Sequence, residues 1–190
     1  MNENYQINDE FLSFSPLVVP WHQITSLSIA HPFNSTHLHL LVSQTTNLRT
    51  LKLHYKHKFQ YRSDSKMKTL IHLFNDASLC NILMSNGLRQ LDLFLAFDQS
   101  NLIIIAYLSV KRLPSLQVIK LESLNLQLIE MSHMLINGLD KLNFLTIIIG
   151  SDNDGKLLDK SLRDLQNLNT RSFRTEVPQT IDENILFVWL

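Results

Sequence analysis

A single α/β domain of stacked strand–turn–helix units is what this sequence predicts, on three observations. A six-residue spacing, apolar at positions one, four and six, recurs along the chain. The recurrences fall at near-constant intervals. Stretches of helical periodicity separate them, so that strand and helix alternate from end to end.

The recurrences are Ile24, Leu27 and Ile29 in "ITSLSI", Leu48, Leu51 and Leu53 in "LRTLKL", and Leu88, Leu91 and Leu93 in "LRQLDL". Leu116, Ile119 and Leu121 follow in "LQVIKL", then Leu142, Leu145 and Ile147 in "LNFLTI". A sixth, Leu168, Arg171 and Phe173 in "LNTRSF", is degenerate because Arg171 takes an apolar position. Start-to-start spacings are 24, 40, 28, 26 and 26 residues, four of the five within the leucine-rich-repeat period of roughly 20 to 29 residues. Positions four and six alternate, as a short strand needs in order to send two side chains to one face. The fold class expected is therefore an α/β leucine-rich-repeat solenoid, a ribonuclease-inhibitor-like horseshoe with irregular repeats of about 24–28 residues. Pro32, Lys56, Ala96, Leu124, Gly150 and Glu176 occupy the place where the usual repeat carries asparagine or cysteine, so no asparagine ladder is expected.

The helical segments justify themselves in turn. "SNLIIIAYLSVKRL" runs from Ser100, a candidate N-cap, through Leu102, Ile105, Ala106 and Leu108. "LQLIEMSHMLINGL" places Leu128, Ile129, Met131, Met134 and Leu135 at helical spacing, with Gly138 as a candidate terminator. "DGKLLDKSLRDLQNL" offers Leu158, Leu162 and Leu165. The 40-residue step from Leu48 to Leu88 is the irregular one. Its surplus is placed in an inserted loop over 54–66, followed by the helix-like "KMKTLIHLFNDASLCNILMSN". That loop belongs to a basic run in which Arg49, Lys52, Lys56, Lys58, Arg62, Lys66 and Lys68 face one acid, Asp64. The whole chain, 1–190, is expected to form one domain, with 1–20 a less defined N-terminal segment.

Composition excludes several function classes. Seventeen basic and seventeen acidic residues cancel, so the chain has no overall field for polyanions. The lone Cys80 forms no internal disulfide and lies in an apolar run, which reads as core rather than nucleophile. No run of about 18 apolar residues occurs, so no transmembrane helix is expected, and residues 1–15 do not read as a signal peptide. His31, His37, His39, His54 and His57 lack thiolate or acidic partners at ligand spacing, and no metal or other cofactor is expected. "SDNDG" lacks the downstream glutamate of a calcium loop and reads as a polar turn. Gly87, Gly138, Gly150 and Gly155 form no phosphate-cradling pattern, and no G-x-S-x-G occurs. A non-catalytic protein is expected, cytoplasmic or also nuclear.

The segments "PWHQITSLSI", "LRTLKL", "LPSLQVIKL", "LDKLNFLTI" and "DENILFVWL" resemble the leucine-rich-repeat half of F-box/leucine-rich-repeat proteins. The resemblance runs from Trp21 onward. It implies a substrate-recognition part of an SCF-type ubiquitin ligase, with a ligase adaptor as partner if an F-box accompanies this region. The F-box itself has no counterpart in "MNENYQINDEFLSFSPLVVP".

In such an array the third, fifth and seventh positions line the concave strand face. Phe94, Val118, Phe144 and Ile148 would form its apolar centre, flanked by Lys120, Glu122 and Arg174. Aromatic residues within a charged rim suit a protein partner. The alternative is an RNA- or phosphate-binding protein using the basic 49–68 segment, because cations with interleaved Tyr55, Phe59 and Tyr61 can neutralise phosphates and stack bases.

Overall fold

The computed structural model describes residues 5–7, 20–30, 35–55, 64–95, 102–123, 128–149, 163, 165, 167, 171–176 and 184–190. Eight strands form one sheet: β1 (Tyr5–Ile7), β2 (Ser26–Ala30), β3 (Thr50–Tyr55), β4 (Gln90–Leu95), β5 (Val118–Ser123), β6 (Phe144–Ile149), β7 (Arg174–Glu176) and β8 (Asn184–Trp189). Five described α-helices lie between them, α1 (Ser35–Gln44), α2 (Asp64–Asn75), α3 (Ala77–Ser85), α4 (Leu102–Arg112) and α5 (Leu128–Gly138), with a 3-10 turn at Trp21–Gln23 ahead of β2.

The sheet order is β1-β2-β3-β4-β5-β6-β8-β7. The first six strands pair in parallel, whereas β8 runs antiparallel to both β6 and β7. This mixed α/β sheet overturns the expectation of a leucine-rich-repeat solenoid. A solenoid lays each strand parallel to the one before it, and here the strand beside β6 runs the other way, with β7 outside it. Of the degenerate unit at Leu168, Arg171 and Phe173, the described residues Arg171 and Phe173 lie in no strand, and Leu168 lies outside the described residues. A guanidinium is too costly to bury under an apolar helix layer. Arg171 instead donates to the carbonyls of Leu139 (3.1 Å) and Leu142 (3.0 Å), tying the turn ahead of β6. "NILFVW" is a continuous apolar run after Asn184, suited to a strand with both faces covered, and it takes the vacant sheet position.

Within the parallel part, the recurrent apolar positions sit in register. Leu27, Leu51, Leu91, Ile119 and Leu145 form one cross-strand row, and Ile29, Leu53, Leu93, Leu121 and Ile147 another. These rows join Leu38, Val42, Leu73, Phe74, Leu83, Ile105 and Leu135 from the helices in one continuous core. Each such leucine or isoleucine contributes about 1.5–3 kcal/mol by leaving water. Leu186 and Val188 of β8 extend the rows, paired with Ile147 and Leu145. Backbone geometry holds the register at the strand starts. The Thr25 carbonyl accepts from the amides of Arg49 (2.8 Å) and Thr50 (3.0 Å), and those of Arg49, Arg89 and Gln117 each accept from two amides of the next segment. Asn47 and Asn86 add side-chain ties, donating to His22 O (2.6 Å) and Val42 O (2.8 Å).

The long step between β3 and β4 differs from expectation. His54 and Tyr55 end β3, and Asp64 to Lys66 begin α2, so the loop assigned to 54–66 is ordered structure at both ends. Positions 56–63 lie outside the described residues. The surplus chain builds a second helix, because Asp76 breaks the helical run. Its carboxylate accepts from the amides of Ser78 (2.9 Å) and Leu79 (3.1 Å) and caps α3. At the other end Gly87 adopts a left-handed φ of 86°, and Leu88 N–H returns to Leu83 O at 3.1 Å. Gly138, expected as a terminator, is the last residue of α5 and has a different reason to be glycine. A Cβ there would meet both γ-methyls of Val110 at 2.7 Å, so glycine lets α5 approach α4.

Candidate functional site: the open face of the sheet

The helices bury their apolar stripes against one side of the sheet, and every second strand residue points to the other side. The register sets these residues in three rows. The first is Ser26, Thr50, Gln90, Val118, Phe144, Trp189 and Arg174. The second is Ser28, Lys52, Asp92, Lys120, Thr146, Phe187 and Glu176. The third is Ala30, His54, Phe94, Glu122, Ile148 and Ile185. None of these side chains belongs to the helix-side core.

Two clusters organise the face. Phe94 stacks on His54, ring centroids 4.1 Å apart and planes 6° from parallel, and the Lys120 ammonium lies 5.2 Å from the Phe94 centroid. Beside them Asp92 is only 3% exposed, a buried carboxylate that accepts from Gln90 Nε2 at 3.0 Å. Lys52 Nζ stands 3.9 Å from the other carboxylate oxygen. That is an ion pair by distance, too long for a hydrogen bond. The second cluster is aromatic. Phe144 lies 5.8 Å from Phe187 and 5.3 Å from Trp189, and the latter two meet edge to face at 5.8 Å. These separations suit attractive ring pairs. Trp189 keeps 37% of its surface in solvent.

The seven residues expected to bind a partner do fall on this face, with differences. Phe94, Val118, Lys120, Glu122 and Phe144 are half-buried, and Phe94 and Lys120 meet. Ile148 is buried at 7%, so the apolar centre is less open there than expected. Arg174 lies on edge strand β7 in the first row, opposite Trp189, and not in the third row with Ile148. His54, Asp92, Phe187 and Trp189 belong to the clusters but are absent from the expected set. For Phe187 and Trp189 the available signal is the unbroken apolar run from Ile185 to Trp189 in "NILFVW", which suits a strand but does not say which side chains face outward.

Other candidates recede. His37 and His39 lie on α1, where a two-residue spacing sends side chains to different sides, and not on a strand. His39 Nε2 pairs with Ser78 Oγ at 3.3 Å. Among the described residues no group of three His, Cys, Asp or Glu could hold a metal. His31 and His57 lie outside the described residues, as does "SDNDG". Cys80 is buried, and burial pushes its thiol up to about 11, with Arg112 pulling it down and Asp76 adding a smaller upward push. Such a thiol carries almost no thiolate at neutral pH. No helix among the described residues is long and apolar enough to cross a membrane. Compared with protein-family models, curated proteins and solved structures, the chain shows no match.

Proposed function

We infer that this chain is a non-catalytic protein-recognition module whose binding surface is the open face of its sheet. One observation carries the reading: two ring clusters, centred on Phe94 and on Phe144, Phe187 and Trp189, stand on a strand face outside the core that all five helices cover. Half-buried aromatic side chains beside charged ones are the residue types that concentrate binding energy at protein interfaces. The narrower reading, a substrate-recognition part of an SCF-type ubiquitin ligase in the cytoplasm or nucleus, is supported by the sequence resemblance alone. Co-purification of a ligase adaptor with the full-length gene product tests it.

The face is tested with paired variants on one purified partner. Phe94→Ala and Trp189→Ala are expected to weaken binding by more than about 1 kcal/mol each. Tyr107→Ala, exposed on α4, serves as the control and is expected to leave affinity unchanged. Melting temperatures on the same samples separate lost contacts from lost structure. Equal losses for all three variants, or a loss confined to Tyr107→Ala, would refute the face assignment.

A further inference from the structure

The polar cluster on the open face suggests what kind of partner it accepts. Lys52, Asp92 and Lys120 stand side by side on β3, β4 and β5 in one cross-strand row. The two lysine backbones are therefore about 9–10 Å apart, two strand spacings, with the aspartate between them. Both lysines are half-buried, yet neither ammonium has a hydrogen-bond acceptor among the described residues. Lys52 approaches Asp92 only to 3.9 Å, and Lys120 rests over the Phe94 ring at 5.2 Å. An ammonium carries three donors, and partial burial removes water that would otherwise satisfy them.

Exposure decides the sign of the patch. The Asp92 side chain is 4% exposed while that of Lys52 is 29% exposed, so an approaching molecule meets two cations above one submerged anion. Glu122 adds a negative charge in the next row, beside Phe94. An incoming acid is thus directed to the Gln90 and Val118 side of the lysines, where the first row carries no acid among the described residues and leads to Phe144 and Trp189.

We propose that Lys52 and Lys120 form a carboxylate-binding subsite, and that the open face takes an acidic segment of a partner protein with a bulky apolar side chain lying toward Phe144 and Trp189. The proposal rests on the open face being the recognition surface, and it adds the chemistry of the partner. The cluster supplies donors and charge for a carboxylate, and the neighbouring rings supply the apolar seat. Nucleic acid, which would also seek two cations, is the competing outcome.

The experiment is selection of displayed random twelve-residue peptides on the full chain. Affinities of the winners, made synthetically, are then measured. Expected are peptides enriched in Asp or Glu near an aromatic or large aliphatic residue. Replacing that acid by its amide should lower affinity at least tenfold. Lys120→Gln should do the same while leaving the Lys52–Asp92 pair intact. The double variant Lys52→Gln with Asp92→Asn removes both charges of that pair without stranding a buried carboxylate, and it should also lose at least tenfold. Peptides without acid enrichment, insensitive to Lys120→Gln yet weakened by Phe94→Ala or Trp189→Ala, would overturn the subsite and leave the open face standing. Insensitivity to all of these variants would overturn both. Tighter binding of a single-stranded RNA twelve-mer than of any selected peptide, with steep salt dependence, would overturn the protein-partner assignment.

Discussion

Replacing Gly138 by alanine tests whether the close approach of α4 and α5 is a constraint the sequence obeys. Alanine normally favours a helix over glycine by up to about 1 kcal/mol, and by less at a terminal residue such as this one. Against that gain stands a steric cost. The added methyl would lie 2.7 Å from both γ-carbons of Val110 and 3.3 Å from its Cβ. Rotating Val110 exchanges one methyl for another, and a β-branched side chain in a helix has one strongly preferred rotamer. The helices must separate, and overpacking of this kind costs about 1–3 kcal/mol. The net expectation is a loss of about 1–2 kcal/mol, or a melting point lower by about 2–8 °C in a chain of this size. Urea unfolding followed by circular dichroism measures it. Pairing the change with Val110→Ala should recover more than about 1 kcal/mol relative to the sum of the single effects. A Gly138→Ala protein as stable as the parent, or strictly additive effects, would refute the packing explanation.

Two further outcomes test the fold and the buried thiol. Leu186→Ala on β8 should cost about 2–5 kcal/mol in the same unfolding assay, as a core truncation does. A loss below about 1 kcal/mol would mean that β8 is only loosely attached to β6. For Cys80, burial raises the folded-state pKa from an ordinary 9.0 to about 11, so the fold binds the thiol proton more tightly than the unfolded chain does. Its stabilising contribution is full below about pH 9 and disappears as pH rises toward 11. A rise of that size is worth about 2–3 kcal/mol. The parent should therefore lose more stability between about pH 8 and 11 than Cys80→Ala does. Parallel pH profiles for the two proteins would contradict the assignment.

How much of this was legible beforehand varies by element. The apolar spacing in "LRTLKL", "LRQLDL", "LQVIKL" and "LNFLTI" located four strands and their inward side chains, because period-two alternation is a local property of the chain. Helices α4 and α5 were equally legible from their 3.6-residue periodicity. The outward rows of β3 to β6 followed from the same alternation. Arg171 was visible as a misfit, but the consequence of that misfit was not. A charged residue at an apolar position says that a unit cannot close in the usual way, and it does not say which segment will replace it.

By itself, then, the sequence determined the alternation of strand and helix, the rows of Leu and Ile that form the core, and the near-neutral charge that leaves no general field. The tertiary structure alone decided the antiparallel arrival of β8 beside β6, which replaces a solenoid by a mixed sheet. It also decided the gathering of Phe144, Phe187 and Trp189 from strands 35 or more residues apart in the chain. The same holds for the burial of Asp92 between two lysines, and for the close approach of α5 to Val110 of α4 at Gly138. Each of these depends on which distant backbone lies alongside. Strand pairing and helix approach are settled by competition among segments far apart in sequence, and a local pattern of hydrophobicity carries no record of who wins.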